Sequence, residues 1–162
     1  MMYFTEYASP VGVLSVACSD KAVLGVWIAG QKYFLSKYDA SLFLHRENEI
    51  TKLCFSWFDD YFAGKRPEIS AVPLDAHGSD FQKRVWELLI KIPYGETTTY
   101  GTIAKSISPK MSAQAVGGAV GHNPISIIIP CHRVVGSDGS LTGYAGSVEI
   151  KQKLLAFEKR CN

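Results

Sequence analysis

The run Pro130-Cys131-His132-Arg133-Val134 could carry out nucleophilic chemistry, because it puts a thiol next to an imidazole. The thiolate is the reactive form of cysteine, and a free thiol with a pKa of about 8.5 is mostly protonated at neutral pH. His132 could take that proton directly or through water if another group orients its ring, which would leave a thiolate poised for attack. The alternative is an inert core cysteine, since unpaired cysteines are among the most buried residues.

The sequence from Tyr94 to Glu158 resembles the O6-alkylguanine-DNA alkyltransferases. The blocks that carry the resemblance are Pro93-Tyr94-Gly95-Glu96, Tyr100, Ile103-Ala104, Ala113, Ala115-Val116-Gly117, Asn123-Pro124, Ile129-Pro130-Cys131-His132-Arg133-Val134, Gly143-Tyr144-Ala145-Gly146 and Leu154-Leu155-Ala156-Phe157-Glu158. The first 75 residues match only in general character. The resemblance implies a suicidal DNA repair protein. It would bind double-stranded DNA that carries O6-alkylguanine, rotate the damaged base out of the helix and transfer its alkyl group to Cys131, with no cofactor and no metal.

The same resemblance assigns roles to individual residues. Cys131 would be the nucleophile, His132 the base that acts through a bridging water, and Glu158 the group that orients His132. Tyr100 would crowd the neighbouring phosphate and hydrogen-bond to the everted base, and Asn123 would brace the turn before the nucleophile. The expected substrate contacts are Val134, Tyr144, Ala145 and Gly146. The expected DNA contacts are Gln114, Ala113, Ala115, Gly117, Thr98, Thr99 and Arg133.

Taken without the resemblance, several of these residues have plainer interpretations. The small residues from Ala113 to Ala119 suit a helix that enters the minor groove, but equally one that packs closely on the core. Thr97 to Thr99 suit phosphate contact or simply a turn and an N-cap. Residues 143–146 read alone as a glycine-rich turn, and Glu158 alone as a solvated helix residue.

One position departs from the family pattern. The family normally places an arginine in the recognition helix, where it fills the space left by the everted nucleotide, and this chain has Gln114. Glutamine lacks the charge and the planar fork of arginine, so we predict a duplex affinity or flipped state weaker by about 1–2 kcal/mol. Ser147 also replaces a frequent glycine.

Hydrophobic patterning predicts the elements that position these residues. Segments around Val11 to Val16 and Val23 to Ile28 read as strands of a hairpin. A helix with an apolar face follows; its face consists of Ile50, Leu53, Cys54, Trp57, Phe58 and Tyr61. Ser79 can cap the next helix, whose face consists of Phe81, Val85, Leu88, Leu89 and Ile92.

Two short helices, from Thr99 to about Ser106 and from Ser112 to about Gly121, form a helix-turn-helix candidate. A last helix from about Val148 to Arg160 should face inward through Ile150, Leu154, Leu155 and Phe157. We therefore predict an α+β fold. A small sheet-plus-helix lobe (1–75) precedes a mostly helical lobe (76–162) with a winged helix-turn-helix-like unit.

Composition limits the class of protein. The chain has 162 residues, 47% of them hydrophobic and 20% charged, and no apolar run approaches the length of a membrane span. Residues 1–75 carry a net charge of −2 and residues 76–162 a net charge of +4, which suits a polyanionic partner but also ordinary fluctuation. The four cysteines show no Cys-x-x-Cys pair, and the N-terminus does not resemble a signal peptide. We expect a monomer with reduced thiols in the cytoplasm, with no zinc and no membrane contact.

Two other functions compete with alkyl transfer. A catalytically silent DNA-damage binder of the same fold would lack the nucleophilic cysteine, whereas Cys131 is present. A cysteine hydrolase would need an oxyanion hole and would turn over repeatedly.

Overall fold

The computed structural model describes residues 1–141 and 147–161. Its backbone contacts form two compact units. The first unit comprises Met1–His77 and Pro124–Ser126, and the second comprises Gly78–Asn123 and Ile127–Asn162. The α+β class is confirmed, while the division into lobes at residue 75 stays a prediction.

A four-stranded sheet forms the first unit. Its strands are β1 (Met2–Ser9), β2 (Gly12–Ser19), β3 (Val23–Ile28) and β4 (Phe43–Leu44), in the spatial order β3-β2-β1-β4. β1 and β2 form an antiparallel hairpin, β2 pairs antiparallel with β3, and β4 joins β1 in parallel. Every residue of β3 is buried, as expected for a strand covered on both faces.

Helix α1 (Glu49–Phe62) packs against this sheet. Asn48 begins it with a capping box, in which its side chain accepts from the Thr51 N–H and the Thr51 hydroxyl accepts from the Asn48 N–H. The predicted apolar face is buried except for Leu53, which is 46% exposed. The prediction for Leu53 is wrong because the capping box turns Thr51 inward and the buried stripe follows Cys54, Trp57 and Phe58.

A three-residue segment, Pro124–Ser126, belongs to the first unit although its neighbours in sequence belong to the second. We call this segment the strap. The Val26 N–H donates to the Pro124 carbonyl at 2.8 Å, and the Ser126 N–H donates to the Val26 carbonyl at 3.0 Å. The Ser126 hydroxyl donates to Oε1 of the buried Gln31 at 2.9 Å. These three bonds fix the strap along β3.

Four helices form most of the second unit: α2 (Asp80–Ile90), α3 (Tyr100–Ile107), α4 (Ala113–Gly121) and α5 (Val148–Arg160). All four predicted helices are confirmed to within a few residues at their ends. Ser79, Thr99, Ser112 and Ser147 begin them, each with a side-chain oxygen that accepts a backbone N–H three residues ahead. The indole N–H of Trp86 on α2 donates to the Ala119 carbonyl of α4 at 2.8 Å.

Two short strands also belong to the described part of the second unit. β5 (Thr98–Thr99) pairs in parallel with β6 (Val134–Val135), so the segment before α3 lies beside the segment after Cys131. Cys131–Arg133 forms one turn of 3₁₀ helix directly before β6, and we call it the 131–133 turn. The described part of the chain contains no helix long and apolar enough to cross a membrane.

Candidate active site

The 131–133 turn follows a buried apolar segment with an unusual backbone. Ile127, Ile128 and Ile129 are all at most 2% exposed, and Ile127 has a φ of +73°. A β-branched residue in this left-handed region costs of order 1–3 kcal/mol and persists only where its surroundings impose it. The Asn123 side-chain N–H donates to the Ile129 carbonyl at 2.9 Å across this bend. The bend and this bond direct the chain into the turn and leave Cys131 4% exposed.

His132 and Glu158 form a fully buried pair. His132 Nε2 lies 2.6 Å from Glu158 Oε2, and neither side chain is exposed. Burial alone would raise the pKa of Glu158, but the hydrogen bonds and charges of His132 and Arg133 outweigh it and hold that pKa well below its usual range. Burial lowers the pKa of His132, and Glu158 offsets this only in part. A neutral imidazole beside a carboxylate donates from Nε2, which leaves Nδ1 as the proton acceptor.

This Nδ1 atom is the part of His132 that can act as a base. It is buried and has no hydrogen-bond partner among the described residues. A buried acceptor without a partner is uncommon in folded proteins. The unpaired Nδ1 is therefore available for a proton from a neighbouring group.

Arg133 does not lie where the sequence suggested. Its guanidinium is buried; Nε and Nη2 donate to the two oxygens of Glu158, and Nη1 donates to the Ile92 carbonyl. These internal partners occupy the side chain, so the expected DNA contact of Arg133 is not supported and we withdraw it. Nothing in the sequence around Arg133 indicates this pairing, because Glu158 is 25 residues away.

Lys151 is a site residue that the sequence reasoning missed. Its side chain is completely buried, and Nζ donates to the Tyr100 hydroxyl at 3.3 Å while lying 5.7 Å from the centre of that ring. Burial lowers the pKa of Lys151 to about 8 and raises that of Tyr100 to about 12. The helical spacing of α5 could have indicated this burial, because Lys151, Leu154 and Glu158 lie on one face of the helix. Ile150, Leu155 and Phe157, expected to face inward, are only half-buried.

The surroundings of Cys131 favour the protonated thiol over the thiolate. Burial raises its pKa to about 11, against the smaller opposing effects of an Asn123 hydrogen bond and the Lys151 charge. Complete burial of the sulfur therefore opposes the thiolate expected from the sequence more strongly than the polar neighbours favour it, and the thiolate stays a prediction. A reaction at Cys131 must remove the proton as the sulfur attacks.

The exposed end of α4 carries the residues predicted to meet DNA. Ala113, Gln114 and Ala115 are exposed in its first turn, while Gly117 is half-buried, with a hypothetical Cβ 3.8 Å from the Tyr100 ring. The first turn of α4 thus presents small side chains and one amide to the surroundings.

The remaining predicted residues lie in or beyond the short sheet. The Thr99 hydroxyl caps α3 by accepting from the Thr102 N–H at 3.1 Å, and Thr98 is half-buried opposite Val134. Val134 is completely buried. Tyr144, Ala145 and Gly146 lie outside the described residues. Among residues 1–141 and 147–161, no cluster of three His, Cys, Asp or Glu side chains could hold a metal ion.

Two family descriptions match this chain. The description "6-O-methylguanine DNA methyltransferase, ribonuclease-like domain" matches residues 2–76, and "6-O-methylguanine DNA methyltransferase, DNA binding domain" matches residues 80–160. A methylated-DNA–protein-cysteine methyltransferase of Mycolicibacterium paratuberculosis is 42% identical over 161 residues, which cover 99% of this chain and 94% of that protein. The protein of the same name from Haemophilus influenzae is 39% identical, with 98% and 87% covered.

Solved structures agree with these matches. The crystal structure of Mycobacterium tuberculosis O6-methylguanine methyltransferase has a TM-score of 0.88 and 40% identity, covering 100% of this chain and 95% of that chain. The structure of Mycobacterium tuberculosis OGT in complex with DNA has a TM-score of 0.87 and 39% identity, covering 98% and 94%.

Proposed function

The chain belongs to the 6-O-methylguanine DNA methyltransferase family, and on this premise we propose that Cys131 is the residue that accepts the alkyl group. The protein is a DNA repair methyltransferase, and DNA is its partner. The observation that supports the assignment of Cys131 is its position next to His132, which pairs with the buried Glu158, and close enough to Tyr100 and Lys151 to interact electrostatically with both.

The reaction is a displacement at the alkyl carbon. The sulfur of Cys131 forms a bond to that carbon as the bond between the carbon and O6 of guanine breaks, and the bonding electrons remain on the purine. His132 Nδ1 takes the thiol proton through one water, and Glu158 stabilises the imidazolium that forms. The high pKa of Cys131 makes this proton transfer part of the reaction, so the sulfur stays unreactive until a substrate is present.

The departing purine needs a proton, and Tyr100 is positioned to donate it. A tyrosine with a pKa of about 12 is a weak acid, but the Lys151 ammonium donates to the same hydroxyl at 3.3 Å. Lys151 can replace the proton that Tyr100 gives up, and the proton held by His132 restores Lys151 afterwards. The reaction therefore neither consumes nor releases a proton overall.

DNA binding is assigned to the exposed first turn of α4. The target atom lies inside the duplex, so the damaged nucleotide must be rotated out before Cys131 can reach it. Ala113 and Ala115 are small enough for close approach in a groove only about 6 Å wide, and Gln114 can hydrogen-bond to the base left without a partner. The +4 charge of residues 76–162 favours binding to the phosphate backbone.

Each molecule acts once. The product at Cys131 is a thioether, which has no activated carbonyl for water to attack and cannot be hydrolysed back to the thiol. All four cysteines are free, which suits a reducing compartment; we place the protein in the cytoplasm, acting as a monomer.

Mass spectrometry with an excess of O6-methylguanine duplex tests the assignment. We expect one methyl group per molecule, about 14 Da, on the peptide that contains Cys131. Cys131→Ser should abolish the mass increase while binding to the duplex persists. Cys161→Ser is the matched control, because Cys161 is the partly exposed cysteine at the end of α5, and it should react like the wild type.

Three results would overturn the assignment. A methyl group on Cys18, Cys54 or Cys161 would move the acceptor site elsewhere. Repeated turnover would indicate a hydrolase. Binding without any adduct would indicate a silent damage binder, an alternative that the names of the relatives do not favour.

A further inference from the structure

Arg133 lies where a guanidinium rarely does, since arginine is almost never fully buried unless it is paired. Its side chain is 7% exposed, Nε donates to Glu158 Oε1 at 2.8 Å and Nη2 donates to Glu158 Oε2 at 3.1 Å. Nη1 donates to the Ile92 carbonyl at 2.8 Å, and the group lies 5.5 Å from the centre of the Tyr94 ring. This two-pronged pairing on a carboxylate fixes both partners in one orientation.

Glu158 is shared between Arg133 and His132. Oε2 accepts from His132 Nε2 and Arg133 Nη2, and Oε1 accepts from Arg133 Nε and, at 3.2 Å, from the Gly95 N–H. Among the described residues, these four donors occupy the two oxygens, close to the capacity of a carboxylate. Their positions leave Glu158 little freedom to rotate away from the imidazole.

Arg133 weakens the effect that Glu158 has on the protonation of His132. A carboxylate that faces only an imidazole favours the imidazolium, which cannot accept another proton. A carboxylate whose charge is already compensated by a guanidinium still accepts the Nε2–H bond but attracts a second proton less strongly. The geometry around Glu158 is of this second kind.

We propose that Arg133 is a positioning residue for the base: by sharing Glu158, it fixes the His132 ring and keeps that ring neutral in the resting protein, so that Nδ1 can take the thiol proton. The inference rests on the proposed function for its effect on the reaction rate. Its effect on the protonation of His132 does not depend on that function.

The charged groups that act on His132 come from α5 and from its own turn. Glu158 raises the pKa of His132, whereas burial first, and then Arg133 and Lys151, lower it. Helix α2, which also packs against the turn, adds no charge to this set: Ile92, just beyond its end, provides only the carbonyl that anchors Arg133. Removal of the guanidinium takes away one lowering effect and leaves Glu158 opposed only by burial and by Lys151, so we expect the pKa of His132 to rise.

The pH dependence of methyl transfer tests this inference. His132 must be neutral to act, so the rate falls as pH decreases through the pKa of His132. We expect Arg133→Gln to move the acidic midpoint of the single-turnover rate upward by about one pH unit or more. Arg133→Lys keeps a positive charge, so its acidic midpoint should lie close to that of the wild type. Its rate should stay below wild type, because an ammonium cannot bind both oxygens of Glu158 as the guanidinium does. Arg160→Gln, on the exposed end of α5, is the matched control and should leave the midpoint in place.

A purely structural role for Arg133 would give a different result. It would reduce the fraction of molecules that react, measured from the total methyl incorporated, without moving the midpoint; that outcome overturns the inference. If wild type transfers no methyl group to Cys131, the proposed function fails instead.

A measurement on the wild type covers the case in which Arg133→Gln does not fold. A long-range proton–nitrogen spectrum of the imidazoles reports the tautomer and charge of His132. We expect a neutral ring protonated on Nε2 at pH 7. An imidazolium at that pH would overturn the inference, whatever the activity.

Discussion

Replacing Glu158 by glutamine tests the energetics of the buried network directly. The substitution keeps the size of the side chain but removes the charge that Arg133 and His132 share at 2.6–3.1 Å. Removal of one partner of a buried ion pair costs about 3–5 kcal/mol, because the other charge stays buried without compensation. Glutamine retains one acceptor oxygen, so we expect the lower end, about 3 kcal/mol. That is a large part of the roughly 5–15 kcal/mol by which proteins are stable.

Urea denaturation at pH 7 measures this loss. Glu149→Gln is the matched control: Glu149 lies on the same helix and pairs with Lys153 at 3.4 Å, with the two side chains 77% and 56% exposed. An exposed pair of this kind contributes less than about 0.5 kcal/mol. Equal losses for the two variants would refute the view that the Glu158 network is a major source of stability.

Acid should narrow the difference in the free energy of unfolding between wild type and Glu158→Gln. The folded-state pKa of Glu158 is lowered, so the stabilisation is fully present above the unfolded value of about 4.3. It is lost as pH falls from there through the folded-state pKa. The free energies of unfolding of the two proteins should therefore converge below about pH 4; a gap that widens in acid would contradict the argument.

Combining Glu158→Gln with Arg133→Met should cost less than the sum of the two single changes, because the double variant leaves neither the carboxylate nor the guanidinium of this pair buried without its partner.

Three further variants probe other parts of the second unit. Lys151→Met removes a charge that lowers the pKa of Cys131, and because one pKa unit is worth about 1.4 kcal/mol, methyl transfer at pH 7 should be slower by about tenfold or more. The difference in rate from wild type should shrink above pH 8, where wild-type Lys151, with a pKa of about 8, loses its charge. Trp86→Phe removes the indole donor to the buried Ala119 carbonyl, which keeps only the His122 N–H at 3.3 Å, and should lower the free energy of unfolding by about 0.5–1.5 kcal/mol, measured in urea. Gln114→Arg should raise the rate on duplex DNA by about 5- to 30-fold, corresponding to 1–2 kcal/mol; an unchanged rate would exclude insertion of residue 114.

The helices could be predicted because their signals are local. Ser79 and Ser112 accept N–H groups only three residues ahead, and the apolar spacing that follows each lies within one window of sequence. Cys131, His132 and Glu158 were found from a motif and from the resemblance. The structure then supplied the contact between His132 and Glu158.

The rest depended on contacts between distant residues. Nothing near Arg133 in sequence indicates that its partner is Glu158, and Lys151 reads as a surface lysine until α5 is placed over Tyr100. β5 and β6 have two residues each, too few to show an alternating pattern. Burial of Cys131, which opposes the expected thiolate, likewise depends on the whole fold.

The strap has a consequence for the order of events during synthesis on the ribosome. Ser126 and Gln31 are 95 residues apart, and Val26 makes both of its strap bonds to residues that the ribosome adds after α2 to α4. Chains are made from the N-terminus at about 5–20 residues per second. For several seconds the backbone N–H and C=O of Val26 in the nascent β3 therefore have no strap residues to bond to. Unpaired strand edges of this kind are sites at which misfolding begins and to which chaperones bind.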